Sequence, residues 1–223
     1  MSKQSNMYDW INKTLNPLCG KCPHECLYCY IESMRKFPVI DNKYSGKIRL
    51  EDKFFNKNLS KDKTYFIGNM IDMFAESVNS GYISKILRYL HQFDNEYLFQ
   101  SKNPKKFGRF IFPGRSILGT TIETNRDYNI SKAPNVYERA TYLSKQPSYL
   151  KTMVTIEPVY DFDLNDMIEL IKVANPNWVN IGADSKRNNL PEPTKKKVKL
   201  LISEIKHFTE VKQKRNLNRL LSN

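Results

Sequence analysis

All four cysteines of this 223-residue chain fall between positions 19 and 29. A fold stapled by disulfides spreads its cysteines along the chain, and the cytosol keeps thiols reduced. Four thiols within eleven residues instead describe one small metal or cluster site, or a redox motif. The segment reads Cys19-Gly20-Lys21-Cys22-Pro23-His24-Glu25-Cys26-Leu27-Tyr28-Cys29-Tyr30. A zinc site would pair Cys19-x2-Cys22 with Cys26-x2-Cys29. Structural zinc sites hold their two pairs about a dozen or more residues apart so that two loops can meet. Thiols at this density suit an iron–sulfur centre better, and a ferredoxin-like cluster would use all four.

Around this segment the apolar pattern alternates between short runs and helical stripes. Strand-like runs are expected at Trp10–Leu18, Thr64–Ile67, Tyr97–Gln100, Ser116–Ile122, Met153–Ile156 and Trp178–Ile181. Helical sequence is expected at Leu27–Lys36, then at Ile83, Ile86, Leu87 and Leu90, which fall at i, i+3, i+4, i+7. Further stripes lie at Val136, Ala140 and Leu143, at Met167, Ile168 and Ile171 behind an Asp163 N-cap, and at Val198, Leu201, Ile202, Ile205 and Phe208. Residues 37–63 are polar and broken by Pro38 and Gly46, and resist assignment. Strands alternating with helices imply an α/β fold with a parallel sheet and right-handed crossovers. Six units suggest a partial (β/α)6 barrel in a single domain, residues 1–208, followed by a basic C-terminal tail, 209–223.

Ligands of such sheets bind at the carboxyl ends of the strands. Here those ends carry the cysteine loop, then Asn69 and Asp72, Ser101 and Lys102, Glu123, Asn125 and Arg126, Glu157, and finally Asp184, Ser185, Lys186 and Arg187. Loops are polar in any fold, so one such end means little; six at one rim form a site.

Lys plus Arg is 36 against 23 for Asp plus Glu, a net charge of +13. That excess favours nucleic acid or another polyanion as substrate or partner, although an inert basic surface gives the same sum. No run approaches the ~18 apolar residues of a membrane helix, and Met1–Trp10 lacks the apolar core of a signal peptide. A cytoplasmic protein with no membrane partner is expected.

A sharper match within the cysteine segment uses three thiols: Cys22-x3-Cys26-x2-Cys29, with aromatic Tyr28 just before the last. This resembles the signature of the radical S-adenosylmethionine superfamily. The resemblance implies a 4Fe-4S cluster held by Cys22, Cys26 and Cys29, with S-adenosylmethionine chelating the fourth iron and cleaved to a 5′-deoxyadenosyl radical. Three ligands leave the open coordination position that a catalytic metal needs. It further implies that Tyr28 lies near the adenine and that Gly68-Asn69-Met70 stands where the family holds the methionine amino group. The common form there is Gly-Gly-Glu, from which this chain departs. Glu123 would make a ribose or carboxylate contact, and Glu157 a cofactor or substrate hydrogen bond. An electron donor such as flavodoxin or ferredoxin would reduce the cluster. Cys19 stands outside the triad and reads as a spare buried thiol.

The run Cys22–Tyr30 looks like the cluster loop of the spore photoproduct lyase family. Gly68–Phe74, Gln100–Pro104, Gly119–Glu123 and Ile156–Pro158 look like a short phage-associated family of unknown function in the same superfamily. The basic charge then points to nucleic acid modification or repair, with Asp72, Lys102, Arg126, Asp184, Lys186 and Arg187 as candidate substrate contacts. Tyr28, Tyr30 and Phe74 could stack on a base. Two alternatives stay open: a radical enzyme acting on a peptide or small metabolite, and a non-catalytic iron–sulfur or zinc module that binds nucleic acid. No cysteine follows position 29, so auxiliary clusters are not expected. His91 and His207 read as surface residues, and His24 as loop filler or a hydrogen bond to sulfur. No Gly-rich phosphate loop, serine nucleophile elbow or paired-histidine metal motif is present.

Overall fold

A computed structural model describes residues 8–186 and 188–222. Nine strands form: β1 Lys13–Leu15, β2 Leu18–Cys19, β3 Arg49–Leu50, β4 Thr64–Ile67, β5 Glu96–Gln100, β6 Ser116–Thr121, β7 Lys151–Ile156, β8 Trp178–Ile181 and β9 Glu210–Gln213. Seven of them make one sheet in the order β1-β4-β5-β6-β7-β8-β9, while β2 and β3 pair separately. Every pairing in the large sheet is parallel. The helices are α1 Tyr30–Met34, α2 Pro38–Lys43, α3 Ser80–Leu90, α4 Val136–Ser144, α5 Leu164–Ala174, α6 Lys195–Ile205 and α7 Asn218–Leu221. This is a single α/β domain, a partial barrel of parallel strands.

Alternation along the strands separates two apolar layers. Tyr65, Ile67, Tyr97, Phe99, Leu118, Val154, Ile156, Val179 and Ile181 pack with the helices in the main core. Phe66, Leu98, Ile117, Met153 and Trp178 face the other way, and there the chain's own Tyr8, Trp10 and Ile11 cover them. Tyr8 and Trp10 stack at 5.4 Å, and Trp10 meets Trp178 edge-on at 5.8 Å. The Tyr8 hydroxyl donates to Gln100 Oε1 at 2.8 Å and pairs with Thr155 Oγ1 at 2.7 Å. The segment before the first strand thus floors the inner face.

Local chemistry sets several element ends. Asn79, Asn135 and Thr194 cap α3, α4 and α6 through their side chains. Asp163 takes the N-cap position of α5 but caps nothing, because Arg126 holds its carboxylate.

Three expectations need correction. The expected first strand, Trp10–Leu18, is broken into β1 and β2 by Asn16-Pro17, since proline cannot donate to a ladder. The expected helix Leu27–Lys36 shrinks to five residues, and α2 restarts at Pro38, which sits at its first position. Most consequentially, residues 210–221, expected within a basic tail over 209–223, carry regular structure. Glu210–Gln213 pairs in parallel with β8 as the seventh strand, and Leu217 beyond it is fully buried. Phe208 lies past the end of α6 and is 40% exposed. Among the described residues no helix is long and apolar enough to cross a membrane.

Candidate functional site

The cysteine loop crosses the carboxyl ends of β4, β5 and β6. Cys22, Cys26 and Cys29 line one cavity of about 170 Å³ together with His24, Tyr28, Tyr30, Gly68, Asn69, Met70, Asp72, Gln100, Lys102 and Thr121. Seven of these, the three cysteines with Tyr28, Gly68, Asn69 and Met70, are residues that the sequence assigned to cluster or cofactor. Cys19 lies apart in β2, buried, with its thiol 3.5 Å from Glu51 Oε2. A larger cavity, about 230 Å³, runs under residues 123–139 and holds none of the cysteines.

The loop is tied at several points. Leu27 N donates to the Ile130 carbonyl at 3.0 Å, and Lys132 N donates to the His24 carbonyl at 2.8 Å. The side chains of Lys21 and Lys132 both pair with Glu25. His24, expected as loop filler or a hydrogen bond to sulfur, is buried, and its Nε2 stands 2.8 Å from Asp72 Oδ2. Asp72 also accepts from Lys102 N at 2.7 Å and Phe74 N at 2.9 Å. Burial opposes the Asp72 charge, but His24 and the hydrogen bonds from Ser101 and Lys102 N together prevail and hold the carboxyl below its usual range.

Burial, then the nearby Asp72 charge, pushes the Cys22 thiol up to about 12, against which the backbone N–H groups of Asp72 and His24 donate to its sulfur. Burial also raises Cys29, whose sulfur takes the backbone N–H groups of Ile31 and Glu32 in the first turn of α1.

Gly68 ends β4 at φ 77°, and an added Cβ would stand 2.8 Å from the Met73 side chain, so only glycine fits this turn. The turn delivers Asn69. Its carbonyl accepts from the Tyr30 hydroxyl at 3.0 Å, and its Nδ2 donates to that hydroxyl at 2.9 Å. Asn69 Oδ1 is buried and has no hydrogen-bond partner among the described residues.

On the other wall, the Tyr28 hydroxyl donates to Glu123, and the Lys102 ammonium donates to both. The ammonium also lies 4.5 Å above the Tyr28 ring. Arg139 completes the set, 2.9 Å from Glu123 Oε2. Glu123 is 1% exposed. Desolvation would favour its neutral form, yet Lys102 and Arg139 prevail and hold the carboxyl at about 2. Burial and the Glu123 charge drive the Tyr28 phenol well above its ordinary value.

Three of the remaining candidates, Arg126, Asp184 and Glu157, have partners inside the protein. Arg126 is ion-paired to Asp161 and Asp163. Asp184 accepts from Lys186 N and Asn188 N, closing its own loop. Glu157 meets Lys214 Nζ at 2.6 Å and Asn216 Nδ2 at 2.8 Å, both from the segment after β9. Lys186 is exposed, and Arg187 lies outside the described residues. Reading by strand ends missed Arg139, which nothing local marks. Tyr30, next to the last cysteine, had been weighed only as a stacking platform, and His24, inside the loop, as filler or a hydrogen bond to sulfur, not as the partner of Asp72.

Among the described residues no three His, Cys, Asp or Glu side chains converge as the ligands of one metal ion would. Three free cysteines lining one cavity are a donor set that an iron–sulfur cluster takes. The orphaned Asn69 Oδ1, an acceptor in the same cavity, fits a cofactor that brings an amino group.

A family described as protein of unknown function, DUF5131, matches residues 5–199. The chain belongs to that family. No curated protein matches this DUF5131 member by sequence. Its fold is similar to solved structures of spore photoproduct lyase. One single-residue mutant of that lyase aligns over 95% of this chain and 79% of its own, at TM-score 0.68 and 12% identity. Another aligns over 88% and 74%, at TM-score 0.62 and 12% identity. A double mutant with bound AdoMet and dinucleoside spore photoproduct aligns over 92% of this chain and 65% of its own, at TM-score 0.55 and 13% identity. At these identities the likeness is one of fold alone.

Proposed function

We propose that this DUF5131 member is a radical S-adenosylmethionine enzyme that modifies or repairs nucleic acid. The observation that carries the reading is the convergence of Cys22, Cys26 and Cys29 on one cavity at the carboxyl ends of β4, β5 and β6. A 4Fe-4S cluster with S-adenosylmethionine on its open iron would supply one-electron cleavage of the sulfonium, and so a carbon radical able to abstract hydrogen.

The chain's own residues serve that chemistry in distinct ways. Cys22, Cys26 and Cys29 would hold the cluster through their thiolates and leave one coordination position open. The carbonyl side of Asn69, presented by the Gly68 turn, accepts the cofactor's amino group. Tyr28 offers an aromatic face for the adenine, fixed in place by its bond to Glu123. Asp72, Arg126 and Asp184 are spent on internal bonds and drop out of the substrate set. The nucleic-acid reading is supported by the +13 charge and by the dinucleoside spore photoproduct bound to three of the similar lyase structures.

The test is anaerobic reconstitution with iron and sulfide, followed by reduction with S-adenosylmethionine present and measurement of 5′-deoxyadenosine. Release is expected for the wild type and Cys19→Ala, and is lost in Cys22→Ala, Cys26→Ala and Cys29→Ala. Addition of single-stranded or lesion-bearing DNA, or of RNA, should raise the rate if nucleic acid is the substrate. Zinc uptake with no 5′-deoxyadenosine would refute the enzyme reading.

A further inference from the structure

Asp72 sits where three pieces of the site meet. One carboxylate oxygen stands 2.8 Å from His24 Nε2 in the cysteine loop and accepts from Lys102 N, just past β5, at 2.7 Å. The other accepts from Phe74 N, in its own turn after β4, at 2.9 Å. Its backbone N–H, like that of His24, donates to the Cys22 sulfur. The side chains of His24 and Asp72 are 5% and 10% exposed. Elsewhere in the loop, Lys21 and Lys132 pair with Glu25 at the surface.

We propose that Asp72 is a positioning residue for the cysteine triad: through His24 it fixes the cysteine loop onto the ends of β4 and β5, and its buried charge beside Cys22 lowers the reduction potential of the cluster. The proposal rests on the cluster reading above. It gives Asp72 a different task from the substrate contact that a strand-end acid suggests. Three internal donors already fill the carboxylate, and a group so engaged would have to give up a buried bond to take a substrate. Groups behind the ligands orient them and tune the metal, and losing them typically costs ~10–100-fold in metal affinity. A fixed negative charge near a centre that gains an electron opposes the gain, and a low local dielectric amplifies that opposition.

The test compares wild type, Asp72→Asn, His24→Leu and His24→Gln after anaerobic reconstitution. Iron and acid-labile sulfide retained through desalting are measured, and the cluster potential is read by EPR-monitored titration. Iron retention should fall several-fold in Asp72→Asn and His24→Leu. It should recover in His24→Gln, whose amide N–H can still reach the carboxylate. The cluster that does form in Asp72→Asn should titrate at higher potential, and that in His24→Gln should not. Should Asp72→Asn fail to fold, the two His24 variants, which leave the bonds to Phe74 and Lys102 in place, decide the anchoring role. Variants that retain iron and titrate like a loaded wild type would overturn the role of Asp72 alone. A wild type that takes up no cluster would bring down the proposed function, and this role with it.

Discussion

The two lips of the sheet are held in opposite ways. At one lip, the cysteine loop has almost no regular structure and hangs from polar bonds: His24 to Asp72, Tyr28 to Glu123, and two backbone bonds to residues 130 and 132. At the other, the C-terminal segment is locked by the β8–β9 ladder and by Leu217, which is fully buried. A loop held by a few ionised and hydrogen-bonded anchors can adjust around a cluster while its anchors stay put. A wall held by a ladder and apolar burial keeps one shape. The site therefore has an adaptable side, where the proposed cofactor would bind, and a rigid side bearing Glu157, Lys214 and Asn216.

The sharpest way to break this contrast is to delete residues 209–223. Without β9 the β8 edge and the Leu217 site are bared. Melting should then show loss of roughly 5 kcal/mol or more, enough to unfold a domain of ordinary stability. An unchanged melting temperature would mean that the segment is a tail after all.

Next in size is Glu123→Ala at the polar lip. It strands Lys102 and Arg139 without their shared carboxylate, and losing one member of a buried ion set costs about 3–5 kcal/mol. Urea unfolding measures it, and Lys102→Met in the same background should recover part of the loss.

Acid reads the same anchors without mutation. The Glu123 carboxyl is depressed from 4.5 to about 2, and Asp72 is shifted in the same direction. A carboxyl lowered on folding stabilises the native state above its unfolded pKa, and this contribution is lost as pH falls through the folded value. Stability should therefore decline between pH 4.5 and 2, by on the order of 3 kcal/mol from Glu123. Amide exchange should rise in residues 20–30 before it rises in β9. Simultaneous loosening of both lips would erase the contrast.

Lys132→Ala is expected to do least. It removes an exposed pairing with Glu25 but leaves the backbone bond from residue 132 to His24. Its unfolding midpoint should match wild type. A clear loss would mean that the surface pair, rather than the buried one, secures the loop.

Much of this was legible in the sequence, for physical reasons. Thr64–Ile67 and Trp178–Ile181 are apolar runs stopped by Gly68 and Gly182, and both are strands at those bounds. The meeting of Cys22, Cys26 and Cys29 at one cavity was legible because cysteines this close in sequence share one loop. β9 was not, because Glu210-Val211-Lys212-Gln213 is an edge strand whose charged composition hides its ladder. The role of Tyr8 and Trp10 was hidden as well, since covering the inner face of a sheet leaves no periodicity. Long-range pairs left no local mark either. His24 and Asp72 are 48 residues apart, Lys102 and Glu123 are 21 apart, and Arg126 meets Asp161 and Asp163 across 35 and 37. Lys102 and Arg126 look like free phosphate clamps until those partners are placed. Lys106, an apparent surface lysine, is buried and donates to the carbonyls of Ala75, Glu76 and Val78 at 2.9, 2.9 and 2.7 Å.

The central claim is that three cysteines hold a cluster with one iron open to S-adenosylmethionine. Its most direct test is the EPR spectrum of the reduced, reconstituted protein with and without that cofactor. The account predicts a cluster signal that shifts when S-adenosylmethionine is added, survives Cys19→Ala, and disappears in Cys22→Ala, Cys26→Ala and Cys29→Ala. A signal that needs all four cysteines and ignores S-adenosylmethionine would contradict it.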